Sequence, residues 1–252
     1  ELFLNIPGHA HDGAEGQVVQ SGEWDSRLGA GGRVEYGRLH DGGDLTLGVS
    51  GRFDDVRYEH AATFRRSPIN PEIDLDATHA AGAVYGRWRQ SFGDRLAVDA
   101  GLRLDIVRHA STPRLVDGEL TAGAPETAAT NAVLGPKLGL RYALADDLSL
   151  RASSARGFRS PVGIIGDPTR DPYLSWSHEV GLTREFDDVE VDVALFRVDV
   201  DNERVQDPVT LLSSGAGSSV RQGVDTHVTA RLSDRIGLEF GGTWNHARLS
   251  SP

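Results

Sequence analysis

Apolar and polar side chains alternate along most of this chain, with the period of two that is typical of β-strands having one apolar face. The clearest stretch is Arg95–Val107, in which every second residue is apolar: Leu96, Val98, Ala100, Leu102, Leu104 and Ile106. Charged residues such as Asp99 and Arg103 take the other face. No segment holds a 3.6-residue period with helix caps. The pattern therefore predicts an all-β chain.

Ten antiparallel strands follow from this alternation, each about ten to fourteen residues long. They are Leu28–Leu39, Leu45–Tyr58, Ala80–Phe92, Arg95–Val107, Ala132–Leu144, the strand that begins at Leu148, Trp176–Phe186, Val189–Asp201, Val220–Leu232 and Arg235–Leu249. Short turns alternate strictly with long connections, among them His60–His79, Ala110–Asn131, Ser160–Ser175 and Glu203–Ser219. Residues 28–249 are thus predicted to form five hairpins, and residues 1–27 an outer loop with a strand end.

The length of these strands favours a membrane. Strands in soluble proteins average about five or six residues, whereas about nine to eleven residues cross a bilayer at barrel tilt. Aromatic residues lie toward strand ends, as in the girdles of membrane barrels: Trp88, Phe92, Tyr142 and Phe186. We therefore predict a transmembrane antiparallel up-and-down β-barrel. A soluble all-β binding module remains the alternative, because its strands would alternate in the same way.

In Val189–Asp201 the apolar positions change face after Leu195, and Phe196, Val198 and Val200 continue on the other side. A β-bulge would explain the change. A strand that leaves the bilayer with an apolar inner tip would explain it equally well.

Composition excludes several functions. The net charge of −11 argues against nucleic acid as a partner, and the absence of cysteine excludes a disulfide framework. His9, His11 and Asp12 do not have the spacing of a metallohydrolase motif, and no nucleophile elbow, P-loop or zincin motif occurs. We therefore expect no enzyme, no metal site and no cofactor. Because the chain lacks methionine and opens without a signal peptide, we also expect a piece of a longer protein.

Five arginines recur at similar positions in the five strands that would run outward through the membrane. Each has the parity of the apolar face and follows the first apolar position by eight or twelve residues: Arg57, Arg108, Arg156, Arg197 and Arg248. Arginine on the lipid face is costly at mid-bilayer but not at the interface. The hypothesis is a belt of lipid anchors in the outer leaflet, reaching toward lipopolysaccharide phosphates. An arginine-rich chain could also produce this spacing by chance.

Several segments resemble one family. The stretch LSLRASSARGFRSP at Leu148–Pro161 is similar to the R-G-F-R-x-P strand end of TonB-dependent outer-membrane receptors. Similar segments of that family appear in PKLGLRY (Pro136–Tyr142), SHEVGLTREF (Ser177–Phe186), LFRVDVDNERV (Leu195–Val205) and RQGVDTHV (Arg221–Val228), with His178 and Asp225 departing from the usual residues. Their order and spacing over roughly Leu96–Trp244 are more specific than any single motif.

The resemblance implies a barrel of about 22 strands plugged by a globular domain, of which this chain would hold ten strands and no plug. It implies a receptor in the outer membrane of a Gram-negative bacterium that imports a bulky scarce nutrient, most often a ferric siderophore, by TonB-coupled active transport. Expected partners are outer-membrane lipid, lipopolysaccharide, a small-molecule metal chelate and, through the plug, the TonB complex. A passive porin or an autotransporter translocator is the alternative. An open curved sheet is expected, with a small closed ten-stranded barrel as the other possibility.

Ligand contacts would come from cationic and aromatic residues near the outer end of the barrel. Cations suit an anionic chelate, and aromatic rings offer stacking surfaces. The candidate residues are Arg159, Arg65, Arg66, Arg114, Arg170, Tyr173 and Trp176. Solvated loop charges and interfacial aromatics would give the same pattern.

Overall fold

The computed structural model describes residues 2–5, 20–116, 119–120, 123–160, 169, 171–206 and 213–250. These residues form twelve strands: β1 (Leu2–Asn5), β2 (Gln20–His40), β3 (Gly43–Phe64), β4 (Ser67–Phe92), β5 (Leu96–Val116), β6 (Glu119–Leu120), β7 (Thr127–Ala145), β8 (Leu148–Arg159), β9 (Tyr173–Glu185), β10 (Val189–Gln206), β11 (Ser213–Ser233) and β12 (Ile236–Ser250). The all-β prediction is confirmed. Within the described ranges, no helix is long and apolar enough to cross a membrane.

All strands belong to one antiparallel sheet in which each long strand pairs with its neighbours in the chain. The ten long strands are those that the alternation predicts, and β6 pairs only with β5. Among the described strands, β2 pairs with β1 and β3, and β12 pairs with β11. The first and last long strands, β2 and β12, therefore do not pair with each other. The sheet is open, as expected, and the alternative of a small closed ten-stranded barrel is wrong.

The strands are longer than predicted, because the polar stretches interpreted as loops continue the ladders. The predicted loop His60–His79 is wrong: β3 and β4 remain paired up to Phe64 and Ser67, and two register shifts accommodate this proline-containing stretch. The strand β2 likewise begins at Gln20 rather than Leu28. Outside a bilayer a strand needs no apolar face, so alternation alone underestimates its length.

The other predicted loops shrink in the same way. The strands β5 and β7 extend to Val116 and Thr127, replacing most of the predicted loop Ala110–Asn131. The strands β10 and β11 extend to Gln206 and Ser213. Paired strands therefore project well beyond the segments predicted to cross the membrane.

The sheet has an apolar face and a polar face, which we name by the residues they carry. Large side chains of the apolar face are 37–75% exposed: Leu28, Val49, Leu104, Leu140, Val180, Leu195 and Phe240. Buried residues lie mainly at the end of the sheet away from the short turns, here called the far end. They include Val56, Tyr58, Leu75 and Val107. So many exposed apolar side chains on one face require an apolar surrounding.

The change of face in β10 is not a bulge. Its register with β9 and β11 is continuous from Val191 through Val200, so Phe196 and Val200 belong to the polar face and form an apolar inner tip. Phe196 lies against Gly223 of β11, where an added Cβ would approach the phenyl ring to 2.8 Å. The neighbouring strand therefore needs glycine at this position.

A two-residue turn closes the β3–β4 hairpin, and both of its residues have positive φ, 51° for Arg65 and 66° for Arg66. Two-residue hairpin turns favour Asn-Gly at such positions, because arginine bears a steric cost there. We expect the double substitution Arg65→Asn and Arg66→Gly to slow amide hydrogen exchange several-fold at the paired ends of β3 and β4, because less strain is stored in the turn. Hydrogen–deuterium exchange of the purified protein measures the effect, and faster exchange would contradict it.

Candidate ligand-binding site

Charged side chains on the polar face are paired across strands. Asp54 on β3 is the most enclosed of them, with a side chain that is 1% exposed. Its carboxylate accepts from Arg27 Nη2 at 2.9 Å, from Arg52 Nε at 2.8 Å and from His79 Nδ1 at 3.3 Å. One buried carboxylate thus joins β2, β3 and β4. We call these four residues the Asp54 cluster.

A second cluster joins β8, β9 and β10 around Arg151. Its guanidinium donates to Asp192 Oδ1 at 2.7 Å and to Glu179 Oε1 at 3.0 Å. Gly181 makes room for this group, because a Cβ there would lie 2.8 Å from the guanidinium carbon. Such charge-assisted hydrogen bonds hold these side chains in fixed positions on the polar face.

A concavity of 590 Å³ lies between these clusters on the polar face. Its lining includes the cations Arg87, Arg103 and Lys137. Each already has a carboxylate: Arg87 Nε lies 2.9 Å from Asp99 Oδ2, Lys137 Nζ lies 3.2 Å from Asp99 Oδ1, and Arg103 pairs with Asp105. Asp99 is shared by Arg87 and Lys137, and Arg156, which also lines the concavity, has no carboxylate partner among the described residues. The concavity therefore keeps some positive charge.

Two histidines meet near the far end of the polar face. The rings of His79 and His109 lie 4.5 Å apart, and Ser160 Oγ lies 2.7 Å from His109 Nε2. Ser160 directly follows β8, and His109 belongs to β5. This contact places Ser160 over the polar face.

A histidine beyond the predicted membrane-crossing segments has perturbed acidity. Burial, followed by the neighbouring His79, lowers the pKa of His109, so its imidazole stays neutral at pH 7. His109 and Tyr58 are only 8% and 5% exposed. The far end of the polar face is therefore shielded from water at these residues.

Arg159 and Tyr173, two of the candidate ligand contacts, lie next to each other. They lie directly opposite each other on β8 and β9, and the guanidinium carbon of Arg159 is 4.3 Å from the centroid of the Tyr173 ring. The side chain of Arg159 is exposed, and no carboxylate among the described residues pairs with it. This distinguishes Arg159 from Arg87, Arg103 and Arg151.

The other predicted ligand contacts lie elsewhere. Arg65 and Arg66 form the tip of the β3–β4 hairpin, and Arg65 lies over the Phe64 ring. Arg114 donates from Nε to Asp76 Oδ2 at 2.7 Å, on the apolar side of β4. Trp176 also has apolar-face parity, opposite Arg156. Arg170 lies outside the described residues. Among the candidates that the structure describes, only Arg159 and Tyr173 therefore lie together.

All five arginines of the hypothetical belt have apolar-face parity in the observed register: Arg57, Arg108, Arg156, Arg197 and Arg248. They lie at two heights, however. Arg156 and Arg197 follow the first residue of the apolar pattern by eight residues, and the other three by twelve. Four residues of strand correspond to about 13 Å. Whether lipid binds at either height stays a prediction.

Sequence reasoning missed the Asp54 cluster and the His79–His109 contact. His79 fell in a predicted loop and His109 beyond the end of a predicted strand. The alternation did place Arg52 and Asp54 on the polar face of β3, and that parity was the available signal. Cross-strand partners depend on register, which a single sequence does not supply.

The comparisons with known proteins agree with this architecture. A family model described as "TonB dependent receptor-like, beta-barrel" matches residues 8–250. No curated protein matches the chain.

Solved structures with the same fold include three receptors of low sequence identity. The ferric yersiniabactin uptake receptor FyuA from Yersinia pestis has a TM-score of 0.76 and 16% identity, with 92% of this chain and 37% of that chain covered. The alcaligin outer-membrane receptor FauA from Bordetella pertussis has a TM-score of 0.62 and 14% identity, with 92% and 40% covered. The siderophore receptor PiuA from Acinetobacter baumannii has a TM-score of 0.64 and 15% identity, with 93% and 39% covered.

The chain thus spans about two fifths of the length of these receptors. An open sheet of ten long strands is consistent with part of a barrel of about 22 strands. The match covers nearly every residue of the chain. It follows that this chain belongs to the family of TonB-dependent receptor-like β-barrels.

Proposed function

We propose that this chain is part of the wall of an outer-membrane receptor that takes up a ferric siderophore by TonB-coupled active transport. In this proposal the polar face lines the lumen, the short turns lie in the periplasm and the far end faces the cell exterior. Lipid surrounds the exposed apolar face. Family membership and the three siderophore receptors with the same fold support the assignment.

The observation that carries the ligand class is Arg159 over Tyr173. An exposed guanidinium with no carboxylate among the described residues, held over a phenol ring, can pair with an anionic chelate while the ring offers a stacking surface. The next residue after Arg159, Ser160, contacts His109 on the polar face. In this proposal, binding would occur at the outer end of the lumen, and no bond would be made or broken in the ligand.

We expect Arg159→Ala combined with Tyr173→Ala to lower uptake of the cognate ferric chelate at least about tenfold, since a charge-assisted contact and a stacking surface are lost together. The measurement is radioactive iron uptake by cells that make the full-length protein, with a panel of ferric chelates. Arg231→Ala is the matched control, because Arg231 lies on the same face at the short-turn end. Equal uptake by the double variant and the wild type would contradict the proposed site.

Uptake measured in cells that lack TonB distinguishes energy-coupled transport from passive transport. An energy-coupled receptor loses uptake in those cells, whereas a passive porin-like barrel keeps it. Immunoblotting of outer-membrane fractions confirms that each variant reaches the membrane in equal amount. Persistent uptake without TonB would favour the passive alternative.

A further inference from the structure

A small polar patch interrupts the apolar face near the far ends of β8 and β9 and midway along β10. It consists of Ser154, Arg156, Trp176, His178, Arg197 and Asp199, all with apolar-face parity. Arg156 lies opposite Trp176, and His178 lies opposite both Ser154 and Arg197. Immediately toward the short turns the same face is apolar, with Ala152, Val180 and Leu195. The patch therefore marks the outer edge of the apolar band.

Arg156 is held at a gap in the sheet. The β7–β8 ladder ends at the pair Lys137–Ala155, and the next residue of β7 is Pro136, which has no N–H to donate. Arg156 Nη1 reaches into this gap and lies 3.4 Å from the carbonyl oxygen of Leu134. Its Nε is buried and has no hydrogen-bond partner in the described part of the chain. The protein thus uses little of the hydrogen-bonding capacity of this guanidinium.

The charge of Arg156 is also uncompensated. No carboxylate among the described residues lies within ion-pair distance of it, whereas Arg197 pairs with Asp199, Arg57 with Glu59 at 2.9 Å and Arg108 with Glu126 at 2.8 Å. The patch therefore carries net positive charge at neutral pH.

An aromatic stack lies between the two arginines of the patch. The rings of Trp176 and His178 are 5.8 Å apart and nearly parallel, at 3°. Tryptophan prefers the membrane–water interface, where its ring is half in the apolar layer. Cations on either side of an interfacial stack suit a phosphorylated sugar lying at the top of the hydrocarbon layer.

We infer that the polar patch binds a phosphate group of lipid A, the membrane anchor of lipopolysaccharide, in the outer leaflet. The inference rests on the proposed membrane location of the chain. Of the five arginines in the hypothetical belt, it assigns lipid binding only to Arg156 and Arg197, the two that lie nearer the short turns. Arg156 supplies the unpaired charge, and the Trp176–His178 stack supplies the surface for the glucosamine ring. Arg197 donates to Asp199 through Nε and Nη2, so only its Nη1 group would donate to the phosphate.

The test uses the full-length protein purified in detergent and native mass spectrometry with two probes, bisphosphorylated lipid A and the same lipid without phosphates. We expect the wild type to bind the bisphosphorylated lipid at least about tenfold more tightly. The double substitution Arg156→Gln and Arg197→Gln should abolish this preference. Loss of a single charge-assisted pair already accounts for about a tenfold change.

Arg184→Gln is the matched control. Arg184 lies on the same face of β9 but at the short-turn end, where it lies 3.2 Å from Asp147, and its substitution should leave the preference intact. Heat-modifiable gel migration confirms that each variant is folded. Equal binding of the two lipids by the wild type, or an unchanged preference in the folded double variant, would overturn the inference. Absence of the protein from the outer-membrane fraction would instead overturn the proposed function.

Discussion

Replacing Ala152 with arginine should strongly reduce the amount of folded protein in the outer membrane. Ala152 is the fifth of nine residues from Leu148 to Arg156 and lies on the apolar face of β8. An arginine at the middle of the bilayer on the lipid face costs about 2–4 kcal/mol. Quantitative immunoblotting of membrane fractions, together with the thermal midpoint from heat-modifiable gel migration, measures the loss.

The adjacent residue provides the matched control. Ser153 is exposed on the polar face, opposite Glu179 of β9, so Ser153→Arg places its charge in the lumen beside a carboxylate. We expect this variant to reach wild-type level. If both variants behave alike, the faces are not divided between lipid and lumen, and a soluble sheet would become the better interpretation.

Substituting Asp54 with asparagine should produce the second large effect. The substitution removes the only carboxylate of the Asp54 cluster and leaves Arg27, Arg52 and His79 around a neutral amide. Breaking an enclosed ion pair from one side is more destabilising than replacing both partners. We expect the thermal midpoint to fall by roughly 5–10 °C, as measured by gel migration or calorimetry of the purified protein.

Asp55 serves as the comparison for Asp54. It is the next residue of β3, it is exposed, and it lies on the apolar face opposite Leu28. Asp55→Asn should leave the midpoint within about one degree, because surface charges contribute little. A drop of the same size in both variants would show that the charge of this segment, and not the cluster, stabilises the sheet.

The sequence predicts the architecture well because alternation is a local property. Leu96 through Ile106 identify both the strand β5 and its apolar face, and the pair Gly93-Asp94 identifies the turn before it. The ends of the strands were harder to predict. Beyond the membrane no apolar face is required, so Pro68 and Pro71 favour a loop in the sequence. The ladder nevertheless continues past them with register shifts.

The candidate site was predictable only in part. The parity of Arg159 and the position of Tyr173 after the next connection place both residues at one end of the polar face. That they lie opposite each other is a consequence of the β8–β9 register. The polar patch was likewise predictable only in part. The sequence position of Arg156 predicts that it lies on the apolar face. The gap beside Arg156 depends on where Pro136 falls in the β7 ladder, which the sequence does not supply.

The height of the β3–β4 hairpin has an electrostatic consequence. The ten residue steps from Asp54 to Phe64 span about 33 Å of strand. The Debye length at physiological ionic strength is only about 8 Å. The guanidinium groups of Arg65 and Arg66 at the tip are therefore screened from the Asp54 cluster below. An anion approaching the polar face from the far end meets two independent cationic groups in succession. Only in dilute salt would the field of the hairpin tip extend down to the Asp54 cluster.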